Sequence, residues 1–304
     1  MFLLNCTHKL ATLERLLVKN FPESLKVYGT LFHINRGNPF NLELLVDSWP
    51  DFQTVITRPP RQERNDDMDH YTNSYYMFTK DVEGLRKILN TTDVVDWNQK
   101  LQIQGLQHNL DEVIKSTAAI KKLRVDTAIR LLYVKEESLR RCHLSGHHAA
   151  SEKKAPSLIV LKIGKSGEQC VFNFSSACAS HEALLNKGWG FGGNEKSLRY
   201  IQRCIRLLPS ACLVDGAGNP ASLGLMDQSA ELRMAYTLPQ YRRIGLFRHL
   251  LMALVDSWTQ PDLPFYLHIA KDNKEVKGPT ESAGFKFAHC GWYQWTCQPL
   301  ESEI

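Results

Sequence analysis

The chain has 304 residues, a formal net charge of +5 and eight scattered cysteines. A chain of this length can bury one large or two medium cores, and its content of 43% hydrophobic and 23% charged residues is typical of a globular protein. The charge is too small and too dispersed to indicate nucleic-acid binding. No CxxC pair occurs and the cysteine spacing is irregular, which favours reduced thiols over a disulfide framework.

The first predicted element is an amphipathic, mildly basic helix over residues 9–20, with leucines on one face against Lys9, Arg15 and Lys19. Such a helix is compatible with an uncleaved mitochondrial address, with a first core helix, or with both. We therefore expect a mitochondrial matrix protein, with the cytoplasm or the surface of the endoplasmic reticulum as alternatives. No apolar run reaches the roughly 18 residues of a membrane span, so none is expected.

The N-terminal half is predicted to form a helix, a three-strand meander, a helix, a short strand, a helix and a strand. The meander strands are predicted at 26–35, 40–49 and 54–57, the helices at 80–90 and 109–123, and the other strands at 93–97 and 129–134. Between them, the polar segment 61–73 places three acidic residues near His70, namely Asp66, Asp67 and Asp69. A solvated loop is favoured there over a metal site.

Residues 136–156 show no periodicity, which predicts a linker between an N-terminal domain at 1–135 and a C-terminal domain at 157–304. Four potential zinc ligands lie in or near the linker, namely Cys142, His143, His147 and His148. No second ligand cluster accompanies them, so we expect no metal site.

The C-terminal half loosely repeats the order of elements of the first half. Strands are predicted at 158–163 and 170–174, helices at 181–186 and 195–208, a meander at 211–214, 220–226 and 231–238, a helix from 247, a strand at 264–270 and a last strand or strand pair at 287–297. Trp292 and Trp295 lie in the last segment. Aromatic residues at strand spacing are usually core, and a substrate wall is the alternative.

One stretch of this half concentrates the features of a ligand site: Glu231-Leu-Arg-Met-Ala-Tyr-Thr-Leu-Pro-Gln-Tyr-Arg-Arg-Ile-Gly-Leu-Phe247. Alternation predicts a strand with two faces, one carrying Leu232, Met234, Tyr236 and Leu238, the other Glu231, Arg233, Ala235 and Thr237. Pro239 ends the strand, and a stripe at helical spacing begins at Phe247. Backbone N–H groups at a helix start point at any anion placed there, so with two arginines beside them we predict a phosphate cradle.

The segment Thr237-Leu-Pro-Gln-Tyr-Arg-Arg-Ile-Gly245 resembles the acyl-CoA-binding motif of the GNAT superfamily of N-acyltransferases. Arg242 and Gly245 match that motif, whereas Phe247 departs from its last position. The spacing from Asn273 to Gly284-Phe285 also resembles the superfamily. Its frequent tyrosine acid is replaced by Thr280, after a Gly278-Pro279 break that predicts an interrupted helix.

Over nearly its whole length the chain is similar to the vertebrate glycine N-acyltransferase and glycine N-acyltransferase-like family. Segments from both halves carry the similarity in order, among them Phe21-Pro-Glu-Ser-Leu-Lys-Val-Tyr-Gly29, Asp66-Asp-Met-Asp-His-Tyr-Thr-Asn73, Gly193-Asn-Glu-Lys-Ser197, Glu231-Leu-Arg-Met-Ala235 and Trp292-Tyr-Gln-Trp-Thr-Cys297. The resemblance implies an α/β fold with a mixed sheet (α+β). It also implies two GNAT-like domains in tandem, of which the N-terminal one is degenerate and lacks the cradle.

The resemblance further implies acyl-CoA as co-substrate, no permanently bound cofactor, and Glu231 as the general base. It assigns the oxyanion to backbone N–H groups and the pyrophosphate to the cradle, with cofactor-binding residues Met234, Ala235, Tyr236, Arg242, Arg243, Ile244, Gly245, Leu246, Phe247 and Asn273. Arg233 shares the face of Glu231. Two roles for it are open: binding the carboxylate of an amino-acid acceptor, or pairing with Glu231.

The leading hypothesis is a monomeric acyl-CoA:amino-acid N-acyltransferase with glycine as acceptor, acting on small molecules. The alternative acceptor is glutamine or another amino acid. A second class, an acyl-CoA-binding protein without turnover, is allowed by Phe247 and Thr280. A protein or histone acetyltransferase would carry an acidic peptide groove or a reader module, and neither is visible in the sequence.

Overall fold

The computed structural model contains both helices and strands and describes residues 1–144, 158–163, 168–258 and 262–300. In these ranges the helices are α1 (Thr7–Val18), α2 (Leu25–Ile34), α3 (Val82–Thr91), α4 (Leu110–Ile120), α5 (Glu136–Leu144), α6 (Glu182–Gly188), α7 (Glu195–Leu207), α8 (Leu246–Ser257) and α9 (Lys274–Ser282). The strands are β1 (Phe2–Leu3), β2 (Glu43–Val46), β3 (Thr54–Arg58), β4 (Ser74–Thr79), β5 (Leu101–Gly105), β6 (Leu123–Val134), β7 (Leu158–Ile163), β8 (Glu168–Ser175), β9 (Ser210–Val214), β10 (Pro220–Met226), β11 (Leu232–Thr237), β12 (Tyr266–Ile269) and β13 (Lys286–Pro299). The predicted mixed α/β class is confirmed.

The described chain forms two compact units, one of residues 1–132 with 288–300 and one of residues 133–287. Both units have the same order: two helices, an antiparallel three-strand meander, a helix, a strand parallel to the last meander strand, and a helix. In the first unit these elements are α1, α2, β2, β3, β4, α3, β5 and α4. In the second they are α6, α7, β9, β10, β11, α8, β12 and α9. The sequence predicted such a repeat only loosely, because the predicted first half had one helix before its meander where the structure has two.

The sheet of the first unit has the strand order β1-β2-β3-β4-β5-β13-β6, and that of the second has the order β12-β11-β10-β9-β8-β7. In the first unit Tyr293 of β13 lies opposite Gly105 of β5, and Cys297 lies opposite Leu101. The last strand of the chain therefore belongs to the first unit, although the predicted C-terminal domain at 157–304 included it. α5 occupies the first nine residues of the predicted linker; the rest, with His147 and His148, lies outside the described residues.

The clearest errors of sequence reading fall in the first unit. Residues 26–35 were predicted as a strand, but residues 26–34 lie in α2, where nine of the ten helical residues are buried. A helix that is buried on all sides has no polar face, so its period is hard to recognise. Residues 93–97 form turns rather than a strand, while β4 and β5 were not predicted because every residue in them is buried and no alternation results.

The other N-terminal expectations concern α1 and the acidic segment. α1 buries Leu10, Leu13 and Leu17, so it is a core helix, and the mitochondrial location stays a prediction. Asp69 accepts hydrogen bonds from the backbone and hydroxyl of Thr72, as a turn residue does. Among the described residues no helix is long and apolar enough to cross a membrane, and no group of three His, Cys, Asp or Glu side chains could hold a metal ion.

The two tryptophans of β13 are core residues of the first unit. Trp292 and Trp295 are both fully buried. The indole of Trp295 donates to Asp111 Oδ1 at 2.8 Å, and its ring stacks on Tyr293 with centroids 5.2 Å apart. The core interpretation of these side chains is therefore confirmed over the substrate wall.

We expect Trp295→Ala to destabilise the first unit by about 3–5 kcal/mol, because it leaves a cavity and removes the indole donor from Asp111, which keeps only its pair with Lys115. Hydrogen exchange should become faster in β5 and α4, where Trp295 packs. Phe287→Ala, at a β13 side chain that is 41% exposed, is the control and should change unfolding little. Equal effects of the two substitutions would contradict the placement of β13.

Candidate active site

β11 contains a bulge in the middle of the predicted ligand site. Arg233 lies opposite Leu225 and Tyr236 lies opposite Leu223, so two residues, Met234 and Ala235, occupy the interval where β10 has one. Met234 adopts a left-handed conformation with φ +53°, which for a non-glycine residue costs about 1–3 kcal/mol. The bulge breaks the strict alternation that was predicted, since Arg233 and Met234 are both buried while Ala235 is exposed.

The ladder between β11 and β12 is short. In the described chain the parallel register between these strands pairs Leu232 with Leu267, before the bulge begins. On the other side of β11 the register with β10 skips Met234 and Ala235. The backbone N–H groups at the bulge therefore lie outside the regular ladders, which is where a ligand oxygen can meet them.

Glu231, the predicted base, lies immediately before β11 and is fully buried. Its Oε1 contacts Nδ1 of His268 on β12, whose side chain is 12% exposed. An ionised carboxylate can only accept, so this hydrogen bond requires the imidazole proton on Nδ1. His268 was missed because no local spacing connects it to Glu231. The available signal was that the strands predicted at 231–238 and 264–270 could lie side by side in one sheet, which would bring Glu231 and His268 together.

Arg233 forms a buried ion pair with Asp227 of the β10–β11 turn. Nη1 and Oδ2 are 3.2 Å apart, and the two side chains are 3% and 0% exposed. Asp227 also accepts from the backbone N–H of Glu231 at 3.2 Å. Over the guanidinium lie the rings of Trp189 and Phe191, with centroids 5.5 and 5.3 Å from its carbon. Neither role considered from the sequence for Arg233 included Asp227.

The loop between α6 and α7 supplies an aromatic wall beside the buried carboxylate. Trp189 stacks on Tyr200 with centroids 6.3 Å apart, and the ring of Phe191 meets His268 edge-on at 6.1 Å. Tyr236 lies so close to Gly188 that a Cβ there would be 2.2 Å from its ring.

The predicted cradle forms as a strand, a turn and a helix. Gly245 is the N-cap of α8 with φ +82°, and nothing lies within 4 Å of a Cβ built on it. The backbone conformation, not lack of space, therefore favours glycine here. The N–H groups of Leu246 and Phe247 belong to the first turn of α8 and have no acceptor within the helix. Ile244 is half-buried, and Leu246 is buried.

The arginines of the cradle lie on the surface. Arg242 donates Nε to the carbonyl of Thr237 at 3.0 Å, and its guanidinium lies 5.6 Å from the centroid of Tyr236. Arg243 has φ +65° and an ion pair of 3.5 Å with Glu275, between side chains that are 88% and 74% exposed. Exposed pairs of this kind stabilise a fold little and exchange easily for another anion.

A second carboxylate fixes the approach to the cradle. Tyr241, directly before Arg242, donates its hydroxyl to Asp215 Oδ2 at 2.7 Å. This bond, followed by the backbone N–H of Asn219, lowers the pKa of Asp215 to about 2. The carboxylate is therefore ionised at neutral pH and holds the turn that precedes α8.

Asn273 and Gly284 mark the two ends of α9. The exposed Asn273 side chain is its N-cap and accepts from Val276 N at 3.3 Å. At the other end Gly284 has φ +83°, and the N–H groups of Gly284 and Phe285 bond the carbonyls of Glu281 and Thr280 at 2.9 and 3.2 Å. This is a Schellman end, so the spacing that resembled the superfamily has a structural role.

The predicted interruption of α9 is wrong, because the helix continues through Pro279 to Ser282. Hydroxyl groups support it: Thr280 Oγ1 donates to the Val276 carbonyl and Ser282 Oγ to the Gly278 carbonyl, both at 2.8 Å. Thr280 is fully buried. Its hydroxyl is directed into its own helix, so it does not replace the missing tyrosine as a proton donor.

In this chain one strand joins a buried carboxylate to a helix start capped by glycine, which is the arrangement that the resemblance to the acyl-CoA-binding motif led us to expect. Two models of one family match the chain: "Aralkyl acyl-CoA:amino acid N-acyltransferase" at residues 1–209 and its C-terminal region at residues 211–299. The chain therefore belongs to the aralkyl acyl-CoA:amino acid N-acyltransferase family, and the resemblance found in the sequence is confirmed.

Individual relatives span the whole chain. A Bos taurus protein named glycine N-phenylacetyltransferase is 45% identical over 304 residues, 99% of this chain and 100% of the relative. Bos taurus glycine N-acyltransferase is 41% identical over 307 residues, with the same shares. An X-ray structure of a Drosophila protein has a TM-score of 0.70 at 15% identity and covers 98% of both chains, which shows a shared fold.

We expect Asp227→Asn to destabilise the second unit by about 3–5 kcal/mol, because it leaves the buried charge of Arg233 uncompensated. Adding Arg233→Met should recover part of that loss, since the uncompensated charge is then gone. Urea unfolding measures both changes. The matched control is Glu275→Gln, which breaks the exposed Arg243 pair and should cost at most about 1 kcal/mol. If Asp227→Asn behaves like the control, the buried pair is not the constraint inferred here.

Proposed function

We propose that the protein transfers an acyl group from acyl-CoA to the amino group of glycine, giving an N-acylglycine and free coenzyme A. One observation carries the proposal: the buried carboxylate of Glu231 begins the strand that leads through the bulge at Met234 to the helix start at Gly245. A proton acceptor, amide donors and an anion site thus follow one another along one segment. The relatives named for glycine and phenylacetyl transfer support glycine as acceptor and an aralkyl acyl group as donor.

The reaction exchanges a C–S bond for a C–N bond. The ammonium of glycine has no free electron pair, so it first loses a proton to the Glu231 carboxylate, a step typically worth about 10²–10⁴-fold in rate. The nitrogen pair then bonds the thioester carbon, and the carbonyl pair moves to oxygen. After attack the nitrogen carries a positive charge and loses its second proton to solvent. When the carbonyl pair returns, the C–S bond breaks with its electrons on sulfur, the thiolate takes a proton from solvent, and Glu231 gives its proton back to solvent.

The remaining predicted residues have distinct roles in this proposal. The amides at the bulge, from Met234 to Tyr236, donate to the oxygen that becomes negative during attack. Arg242, Arg243 and the amides from Ile244 to Phe247 bind the pyrophosphate of coenzyme A. Arg233 is held by Asp227 under the aromatic wall and supports the site there. The expected monomer stays a prediction.

Thiol release and product mass test the proposal together. The protein is mixed with phenylacetyl-CoA, benzoyl-CoA or acetyl-CoA, and with glycine, glutamine or no acceptor. Release that requires glycine, with N-acylglycine as the product, is expected. A product formed only with glutamine would show that glutamine, not glycine, is the acceptor. Binding of acyl-CoA without thiol release in any mixture would indicate a binding protein.

We expect Glu231→Gln to bind acyl-CoA nearly as the parent protein does, while turnover falls by about 10²–10⁴-fold, because the amide cannot accept the proton. The deficit should shrink as the pH rises from about 7 to 9.5, since more glycine is then already deprotonated. Glu112→Gln, at a carboxylate of the first unit that is 82% exposed, is the control. A ratio to the parent rate that stays constant over this range would remove Glu231 from the role of base.

We expect Arg242→Ala to weaken coenzyme A binding by about 10- to 100-fold, since a charge-assisted hydrogen bond contributes about 1.5–3 kcal/mol. Isothermal titration measures the change. Arg124→Ala removes an arginine that is 64% exposed in the first unit and should leave the affinity unchanged. Equal affinities for all three proteins would place the phosphate site elsewhere.

A further inference from the structure

We propose that His268 is a positioning residue for Glu231: its Nδ1–H fixes Oε1, so that Oε2 is presented to the amine of the acceptor. This inference rests on the proposed function, and it gives a role to a side chain that the sequence did not single out. His268 acts through the carboxylate and is not itself the base.

The geometry of the pair supports this role. Glu231 Oε1 and His268 Nδ1 are in hydrogen-bond contact, with the carboxylate side chain 0% and the imidazole 12% exposed. The imidazole extends from β12, and the ring of Phe191 lies against it with the two planes inclined at 67°. A carboxylate held at one oxygen by a fixed donor cannot rotate freely, so its second oxygen has a defined direction.

Burial makes the donor matter for protonation as well as for orientation. Removing a carboxylate from water favours its neutral form, whereas a hydrogen bond donated to the charged form opposes that effect. A protonated Glu231 cannot accept a proton from the amine. The Nδ1–H of His268 therefore keeps the base in its useful form toward lower pH.

Charged or titratable groups near the pair include Asp227, Arg233, Tyr266 and, through its interaction with Asp227 and Arg233, Cys204. Asp227 and Arg233 balance each other in their buried ion pair. Tyr266 donates its hydroxyl to the carbonyl of Ser229. Burial, with the negative charge of Asp227 as a smaller cause, raises the pKa of Cys204, so this thiol stays neutral at the pH of the reaction.

Two substitutions of His268 separate donation from packing. His268→Asn places an amide N–H near the position of Nδ1 but removes the ring. His268→Phe keeps a ring against Phe191 but removes the donor. His289→Asn, at an exposed histidine of the first unit, is the control.

The rate of glycine-dependent transfer is measured from pH 5.5 to 9.5 for each folded protein. We expect His268→Phe to move the acid limb of the profile of rate against pH to higher pH by about 1–2 units. This shift corresponds to losing a hydrogen bond to a charged group. His268→Asn should keep the acid limb near its original pH and retain more activity than His268→Phe. The inference would be overturned, and a packing role indicated, if His268→Phe were more active than His268→Asn. Equal losses of rate in the two variants, with no shift of the acid limb, would also overturn it.

A second measurement does not depend on turnover. The His268 ring is titrated by NMR in the unliganded parent protein and in Glu231→Gln, and it should titrate at lower pH in the variant, because a neighbouring carboxylate favours the charged imidazole. Transfer by the parent with an unchanged His268 titration would overturn this inference alone. No transfer by the parent with any acyl-CoA would overturn the proposed function, and with it this role.

Discussion

The bulge at Met234 and Ala235 is the constraint on which the site depends. It interrupts the pairing of β11 with β10, which resumes at Tyr236, while the described register with β12 does not extend past Leu232 and Leu267. A regular strand would bury its amides in two ladders and leave nothing for a ligand. The left-handed conformation of Met234 is the local cost of keeping donors available between a buried carboxylate and a helix start.

The two units differ at the positions that form the candidate site in the second unit. In the first unit β4 and β5 remain paired at three successive positions, from Ser74 with Gln102 to Tyr76 with Gln104. The helix that follows, α3, begins with Asp81, whose carboxylate accepts from Gly84 N at 3.0 Å. Its N-terminus therefore already holds an anion from the chain itself, whereas α8 begins with Gly245 and has no side chain there.

The sequence predicted those parts of the site that are local. Pro239 ended a strand, Gly245 began a helix, and both lie where expected because backbone chemistry at these residues is decided within a few positions. The side-chain partners could not be predicted in this way. The contact between Glu231 and His268 joins residues 37 positions apart, and Arg233 is held by a turn residue that strand alternation does not reveal.

The assignment of β13 to the first unit, instead of the predicted C-terminal domain, could not be predicted for a related reason. The composition of a strand does not identify its partner strand, and the pairing of β13 with β5, which includes Trp295 with Ile103, places it in the first unit. The same limit applies to α2, whose burial removed the polar face that distinguishes a helix from a strand. Sequence pattern indicates which elements form, while partner choice depends on contacts between distant parts of the chain.

Hydrogen exchange with and without coenzyme A tests the central claim most directly. If the ligand lies between the bulge and α8, added coenzyme A slows exchange of the amides from Met234 to Tyr236 and from Ile244 to Phe247. The start of α3 in the first unit should exchange at the same rate in both samples. Protection at α3, or unchanged exchange at the bulge and the start of α8 under saturating coenzyme A, would contradict the account.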